Sequence, residues 1–240
     1  MIPKKIHYCW LSGEKIPEIL QKSMATWKEF LPDYEWALWD KNKFDINSVD
    51  FVKEACSVKK WAFAADYIRL YAVYTEGGIY MDMDVIVKKS FDKFLKHDFF
   101  SAVENNTAEK DEKRDFLIQA AIFGAVAGHP YLKDCMKWYE NRHFILPDGS
   151  FFNNFIAPNI YAKIAENYGF SKKDELQNLS NGMTIYQSEV FPNARYVYTK
   201  ETHAIHWARG SWKPRNFLWK ILCAANYNLF LLRYFGGRLK

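Results

Sequence analysis

One stretch, KKWAFAADYIRLYAVYTEGGIYMDMDVIV over residues 59–87, limits what this chain can fold into more than any other. Residues 59–76 repeat apolar side chains at helical spacing around an alanine-rich interior, and Gly77-Gly78 suits a left-handed helix C-cap. Ile79-Tyr80-Met81 then reads as a short apolar strand, continued by Val85-Ile86-Val87. Asp82 and Asp84 interrupt that strand, and a carboxylate inside a buried strand needs a compensating partner. A helix delivered by two glycines into a buried strand is one layer pair of an α/β protein, and the flanking sequence repeats the pattern. Lys5 to Trp10 reads as a strand, Ile16 to Phe30 as a helix stopped by Pro32-Asp33, and Tyr34 to Trp39 as a second strand; a further helix falls between residue 49 and the long one. The alternation predicts an α/β sandwich with a mostly parallel central sheet flanked by helices.

Beyond this core, Phe116 to Ala127 reads as a central strand region, Tyr131 to Arg142 and Tyr161 to Tyr168 as helices, and Met183 to Gln187 and Ala194 to Trp207 as strands. Asn105 to Asp115 is polar and aperiodic, as in a surface insertion, while residues 147–159 are rich in Pro, Asn, Gly and Phe, as in a loop near a site. The net charge of +5 is uneven: six basic residues and no acids lie between Lys213 and the C-terminus, so residues 1–212 carry −1. No basic stripe with interleaved aromatics runs through that body, which argues against a nucleic-acid partner. The chain therefore divides into a catalytic body, 1–212, and a basic tail, 213–240. Phe217 to Tyr234 is apolar but broken by Lys220, Asn226, Asn228 and Arg233, too polar for a spanning helix. It suits an in-plane helix on an anionic leaflet or a helix docked on protein. Four cysteines without a C-x-x-C pair, and a first strand preceded by no apolar signal region, set the expectation of a cytoplasmic protein with reduced thiols.

The chemistry is carried by few residues. On an extended strand Asp82 and Asp84 would point to one face; a turn would bring them round a common point. Two such carboxylates repel unless a cation lies between them, and oxygen ligands favour Mg²⁺ or Mn²⁺, which could grip a diphosphate. Asp66 and Arg69 share a helix face among apolar neighbours, either as an ordinary ion pair or lining a polar cavity, where the guanidinium holds phosphate or orients the aspartate. Late in the chain, His203 and His206 stand three apart in a strand-like segment, so at most one is a ligand to a shared site.

The elements IHYCWLSG, the 59–87 string, FGAVAGHP and AIHWARGSW, in this order, resemble glycosyltransferase family 32, whose sugar-binding region contains a D-x-D motif, in its bacterial capsular and surface polysaccharide type. The resemblance covers about residues 3–212. It implies a GT-A fold, Rossmann-like and nucleotide-sugar-binding, and hexose transfer with retention to a glycan or lipid-linked acceptor from a UDP-sugar, favoured over a GDP-sugar. It further implies Trp10 on the nucleobase beside Leu11 and Ser12, Asp66 and Arg69 on the donor sugar, Asp84 and Asp82 with His206 at Mn²⁺ or Mg²⁺, and Ser211 and Trp212 over the diphosphate. Asn153, Asn154 and Pro158 fall where related enzymes shape the acceptor pocket. Trp207 and Arg209 depart from the family pattern. No motif residue supplies a carboxylate nucleophile, so front-face substitution is expected. A nucleotidyl- or phosphotransferase would need a third clustered carboxylate and a Gly-rich or Lys-bearing phosphate loop, neither of which is in the sequence; a non-catalytic sugar-binding protein would have no use for the four intact charged residues.

Overall fold

Apolar periodicity and local structure coincide along most of the chain in a computed structural model, which describes residues 1–105, 116–194 and 198–208. The first half contains strand β1 (Lys5–Cys9), helix α1 (Glu18–Phe30), β2 (Glu35–Trp39), α2 (Asp50–Ser57), α3 (Trp61–Glu76), β3 (Gly78–Met81) and β4 (Val85–Val87). The second half contains β5 (Phe99–Asn105), β6 (Phe116–Ile118), β7 (Ile122–Ala125), α4 (Pro130–Lys137), α5 (Ala157–Ala165), β8 (Gln177–Asn178), β9 (Met183–Tyr186) and β10 (Ala204–His206). The main sheet has the order β2-β1-β3-β7-β5-β9-β8, with β6 paired to β5. Strands β2, β1, β3, β5 and β9 run one way, and β6, β7 and β8 run against them. This is the expected α/β arrangement, and its parallel strands end on one edge.

Helix α3 is apolar on nearly every side because it is covered on nearly every side. It packs against α2, α4, β1 and β3, and Phe63, Ala64, Ile68, Leu70, Ala72 and Val73 are buried. Each large apolar side chain so placed contributes roughly 1.5–3 kcal/mol. The helix ends at Gly77, whose φ of 64° and N–H bond to Val73 O (2.9 Å) close the last turn. With ψ at 173°, Gly77 leaves in an extended direction and not in the left-handed helical cap expected. Gly78 follows at φ 115°, with a Cβ built there only 2.7 Å from the Lys5 carbonyl oxygen of β1. Both glycines are thus required: the chain makes two successive positive-φ steps while a neighbouring strand backbone presses on it.

Three local expectations change. Residues 79–87 are not one strand: β3 belongs to the main sheet, whereas β4 pairs antiparallel with β10 in a separate two-stranded ribbon. The change of sheet occurs in a turn closed by Val85 N–H donating to Asp82 O (3.0 Å). Among the described residues of 194–207 only Ala204–His206 is strand, and α4 stops at Lys137, followed by turns in which Asn141 adopts φ 58°. The loop at 147–159 is tied down at its start: Glu54 of α2 accepts from Phe144 and Ile145 N–H at 2.8 and 3.0 Å, and its end, with Pro158, is the first turn of α5. Of the expected insertion from Asn105 to Asp115, Asn105 ends β5 and the rest lies outside the described residues, as does the tail at 213–240.

Gly78→Ala is expected to lower stability by about 2–3 kcal/mol through strain and collision with β1. Urea denaturation would measure it, and an unchanged midpoint would show that the strand crossing tolerates a side chain.

Candidate active site

The turn after β3 builds the site. Asp82 N–H donates to Ala121 O (2.9 Å), pinning the end of β3, and the 82–85 turn then swings the chain onto β4. From the core side, Trp27 Nε1 donates to Val85 O (2.8 Å) and Val87 N–H donates to Thr26 Oγ1 (2.9 Å), so α1 holds β4 in place. β10 pairs with β4 in the register that sets His206 beside Val85, and Trp207 N–H donates to Asp84 O (3.1 Å). The result is that His206 Nε2 lies 3.4 Å from Asp84 Oδ1 and 3.9 Å from Asp82 Oδ2. One ligand atom from each of the three residues falls within 4.8 Å of the others.

His203 goes elsewhere. It is buried, with Nδ1 in a 2.9 Å hydrogen bond to Ser90 O and its ring against Phe94. Burial, with Lys93 adding to it, lowers its pKa to about 4, so it is a neutral packing group. His206 is the opposite case. Burial disfavours its charge, but Asp84, then Asp82 and Glu104, raise its pKa to about 9. An imidazole held as a cation by surrounding carboxylates marks a point of strong negative potential. Two carboxylate oxygens and one imidazole nitrogen so close together suit a divalent cation, Mn²⁺ or Mg²⁺, whose binding would displace the His206 proton.

Beneath these residues sits Arg69, 7% exposed in its side chain. Its Nε donates to Ala65 O (3.2 Å) and Nη1 to Ala120 O (2.8 Å), while Nη2 lies 3.0 Å from Asp66 and 3.5 Å from Asp82. Of the two roles open to this guanidinium in the sequence, orienting aspartates is the one its bonds describe. Burial works against its charge, yet Asp82, Tyr80 and Asp66 keep it firmly protonated. Asp66 has burial as its main influence, which with Asp82 outweighs Arg69 and lifts its pKa to about 7. The Tyr80 hydroxyl donates to Asp82 Oδ1 (2.7 Å), and the Arg69 guanidinium stacks 4.7 Å from the Tyr80 ring centroid.

Because β1 and β3 are parallel neighbours, with Ile6 beside Ile79 and His7 beside Tyr80, their ends deliver Trp10 and Asp82 to the same sheet edge. That edge is where open α/β sheets bind ligands. Trp10 is half-buried; its N–H donates to Trp39 O (3.0 Å) and its indole N–H to Glu14 O (2.6 Å). Leu11 is buried, and Ser12 Oγ accepts from Glu14 N–H (3.1 Å). Asn153 and Asn154 are exposed on the 147–159 loop. Ser211 and Trp212 lie outside the described residues.

Several residues at the site have no local signal in the sequence. Tyr80, the Ala120 carbonyl, Gln119, Asn193 and Glu104 arrive from separate segments. The hydroxyls of Tyr139 and Tyr161 are buried with no hydrogen-bond partner among the described residues, and the charges of Asp66 and Arg69 act on both. Only the apolar surroundings of Tyr80, just before the two aspartates, could have drawn attention.

Two aspartates and a histidine thus converge beside the edge of an α/β sheet, and comparison with known proteins gives that arrangement a class. A family model described as the glycosyltransferase sugar-binding region containing DXD motif matches residues 17–101, which hold Asp66, Arg69, Asp82 and Asp84 but not His206. An uncharacterized glycosyltransferase, L373, of Acanthamoeba polyphaga mimivirus is 24% identical over 97% of this chain and 92% of its own length. Inositol phosphoceramide mannosyltransferase 3 of Schizosaccharomyces pombe is 27% identical over 60% of this chain; the match spans 40% of that longer protein. The crystal structure of a glycosyltransferase involved in the glycosylation of the major capsid of PBCV-1 superposes with a TM-score of 0.50 at 12% identity, covering 85% of this chain and 93% of the other. The fold is GT-A, and the chain is an enzyme of the glycosyltransferase class. The relatives named here are viral and fungal, not bacterial.

Asp66 gives the site a pH signature. Its carboxyl titrates at about 7 in the folded chain and near 3.8 when unfolded, so between those values the folded state binds more protons and stability falls as pH rises. Asp66→Asn is expected to flatten that decline in metal-free protein. Denaturation midpoints measured across the interval would show it, and an identical slope in the variant would refute it.

Proposed function

We propose that this chain transfers a hexose from a nucleotide-sugar to a hydroxyl of a glycan or lipid-linked acceptor, with retention of anomeric configuration, in the assembly of a surface glycan. The observation that supports the reading is the convergence of Asp82, Asp84 and His206 within 4.8 Å on the sheet edge that also carries Trp10. A divalent cation held there by Asp84, His206 and Asp82, with Mn²⁺ ahead of Mg²⁺, would supply Lewis-acid stabilisation of a departing diphosphate. Trp10 stacks on the base, with Leu11 and Ser12 beside it, and UDP is favoured over GDP. Asp66 holds sugar hydroxyls; with a pKa of about 7 it can donate or accept hydrogen bonds near neutrality. Arg69 fixes Asp66 and Asp82 and balances their charge. Ser211 and Trp212 are assigned to the diphosphate on their sequence motif alone, and Asn153, Asn154 and Pro158 to the acceptor side. The acceptor hydroxyl attacks from the face the diphosphate leaves, and the leaving oxygen takes its proton.

A nucleotidyl- or phosphotransferase fits less well. The further carboxylates near the site, Asp66 and Glu104, are turned to Arg69 and Asn193, and no Lys-bearing phosphate loop accompanies them. We place the reaction in the cytoplasm, with residues 213–240 on the inner leaflet; among the described residues no helix is long and apolar enough to cross a membrane. The mannosyltransferase name of the fission-yeast relative keeps a mannosyl donor in the test.

With a panel of UDP- and GDP-hexoses, including GDP-mannose, the protein is expected to gain thermal stability from one donor only when Mn²⁺ is present, and to hydrolyse that donor slowly. Asp84→Asn should cut hydrolysis by about 100-fold or more. Hydrolysis indifferent both to Mn²⁺ and to this substitution would sink the proposal. For the tail, deletion of residues 214–240 is expected to abolish co-sedimentation with anionic liposomes; equal binding by the shortened chain would end the membrane assignment.

A further inference from the structure

The geometry points to a polar chain, Gln119–Asn193–Glu104, that sets the tautomer of His206 and so presents its Nε2 lone pair to the cation. This inference rests on the metal-centred reading above and extends it to three residues that carry no motif. The ordering starts from backbone. Gln119 Oε1 accepts from Ala121 N–H (3.1 Å), and because a peptide N–H can only donate, the orientation of the Gln119 amide follows. Its Nε2 then donates to Phe191 O (3.3 Å) and to Asn193 Oδ1 (3.4 Å). With Oδ1 an acceptor, Asn193 turns Nδ2 toward Glu104, donating to Oε1 at 3.4 Å. The same Asn193 Oδ1 stands 3.2 Å from His206 Nδ1. An amide oxygen there requires a proton on Nδ1, which in the neutral ring leaves Nε2 bare. Nε2 is the nitrogen that faces Asp84 and Asp82.

The backbone supports the constraint. His206 N–H donates to Pro192 O (3.0 Å) and Ala194 N–H donates to His206 O (2.9 Å), so the 192–194 segment holds the histidine's main chain at both its peptide groups. Glu104 lies near the carboxyl end of β5, which runs parallel to β1 and β3, so it reaches the same sheet edge. None of the three belongs to the group of ligand atoms within 4.8 Å formed by Asp82, Asp84 and His206; they act through His206 as positioning residues. Partners of this kind typically change metal affinity by about 10–100-fold when removed.

The test uses the full chain. Asn193→Leu is expected to weaken Mn²⁺ binding, read as free Mn²⁺ by electron paramagnetic resonance, by about 10–100-fold. Asn193→Asp, which keeps an oxygen facing Nδ1, should bind within a few-fold of the parent. In ¹⁵N-histidine-labelled, metal-free protein held above the His206 pKa of about 9, where the ring is neutral, the ¹⁵N shifts should show a protonated Nδ1 and a bare Nε2, a preference that Asn193→Leu loses. Adding diamagnetic Mg²⁺ should shift Nε2 while Nδ1 keeps its proton. A folded Asn193→Leu variant with parental Mn²⁺ affinity, or metal ligation through Nδ1, would overturn the proposal. If the parent chain binds no Mn²⁺ at all, the proposed function fails, and the Nδ1–H signal still decides the relay: its persistence in Asn193→Leu would refute it.

Discussion

The buried guanidinium of Arg69 is the tie on which the rest of the site depends. It joins helix α3, the exit of strand β3 and the backbone at Ala120, because its fork reaches Asp66, Asp82 and the Ala120 carbonyl together. A surface ion pair would contribute little, but a cation with this degree of burial cannot lose its partners cheaply. Breaking such a set leaves an uncompensated charge and costs about 3–5 kcal/mol. The alanines and apolar residues surrounding Arg69 on α3 therefore do two things: they fill the core, and they deny the guanidinium any alternative in water.

Around that tie, the sheet topology collects functional groups by direction. Parallel strands release their ends at one edge, so Trp10 after β1, Asp82 after β3 and Glu104 in β5 meet there although long stretches of chain separate them. The small β4–β10 ribbon adds what the main sheet does not supply, a histidine opposite two carboxylates. The electrostatics follow from the geometry: crowded carboxylates hold His206 charged, while burial keeps Asp66 close to neutrality. Perturbed protonation of this kind clusters at functional sites.

Much of this was legible beforehand. The helix, Gly-Gly and strand succession announced an α/β layer because 3.6-residue and two-residue periodicities differ plainly, and the Gly pair meant a backbone path closed to other residues. The two aspartates stood out since charge in an apolar strand has few explanations. What could not be read was the turn at 82–85. Local hydrophobicity is the same whether Val85-Ile86-Val87 continues one strand or begins another sheet, so the change of partner leaves no trace in composition. The choice between His203 and His206 was likewise open, since spacing said that at most one belonged but only the β4–β10 register shows which lies by the aspartates.

By itself, then, the sequence determined the element succession from β1 to β3, the mostly parallel character of the sheet and the carboxylates at the end of a buried strand, because these depend on residues close together in the chain, while β5 and β8 drew no reading. Tertiary structure decided that Arg69 orients aspartates, that His206 joins them while His203 packs, and that Asn193 and Glu104 stand behind it. Those outcomes depend on hydrogen-bond geometry between segments that can lie more than a hundred residues apart, as with His203 and Ser90 at a separation of 113, and such geometry exists only once the sheet has paired.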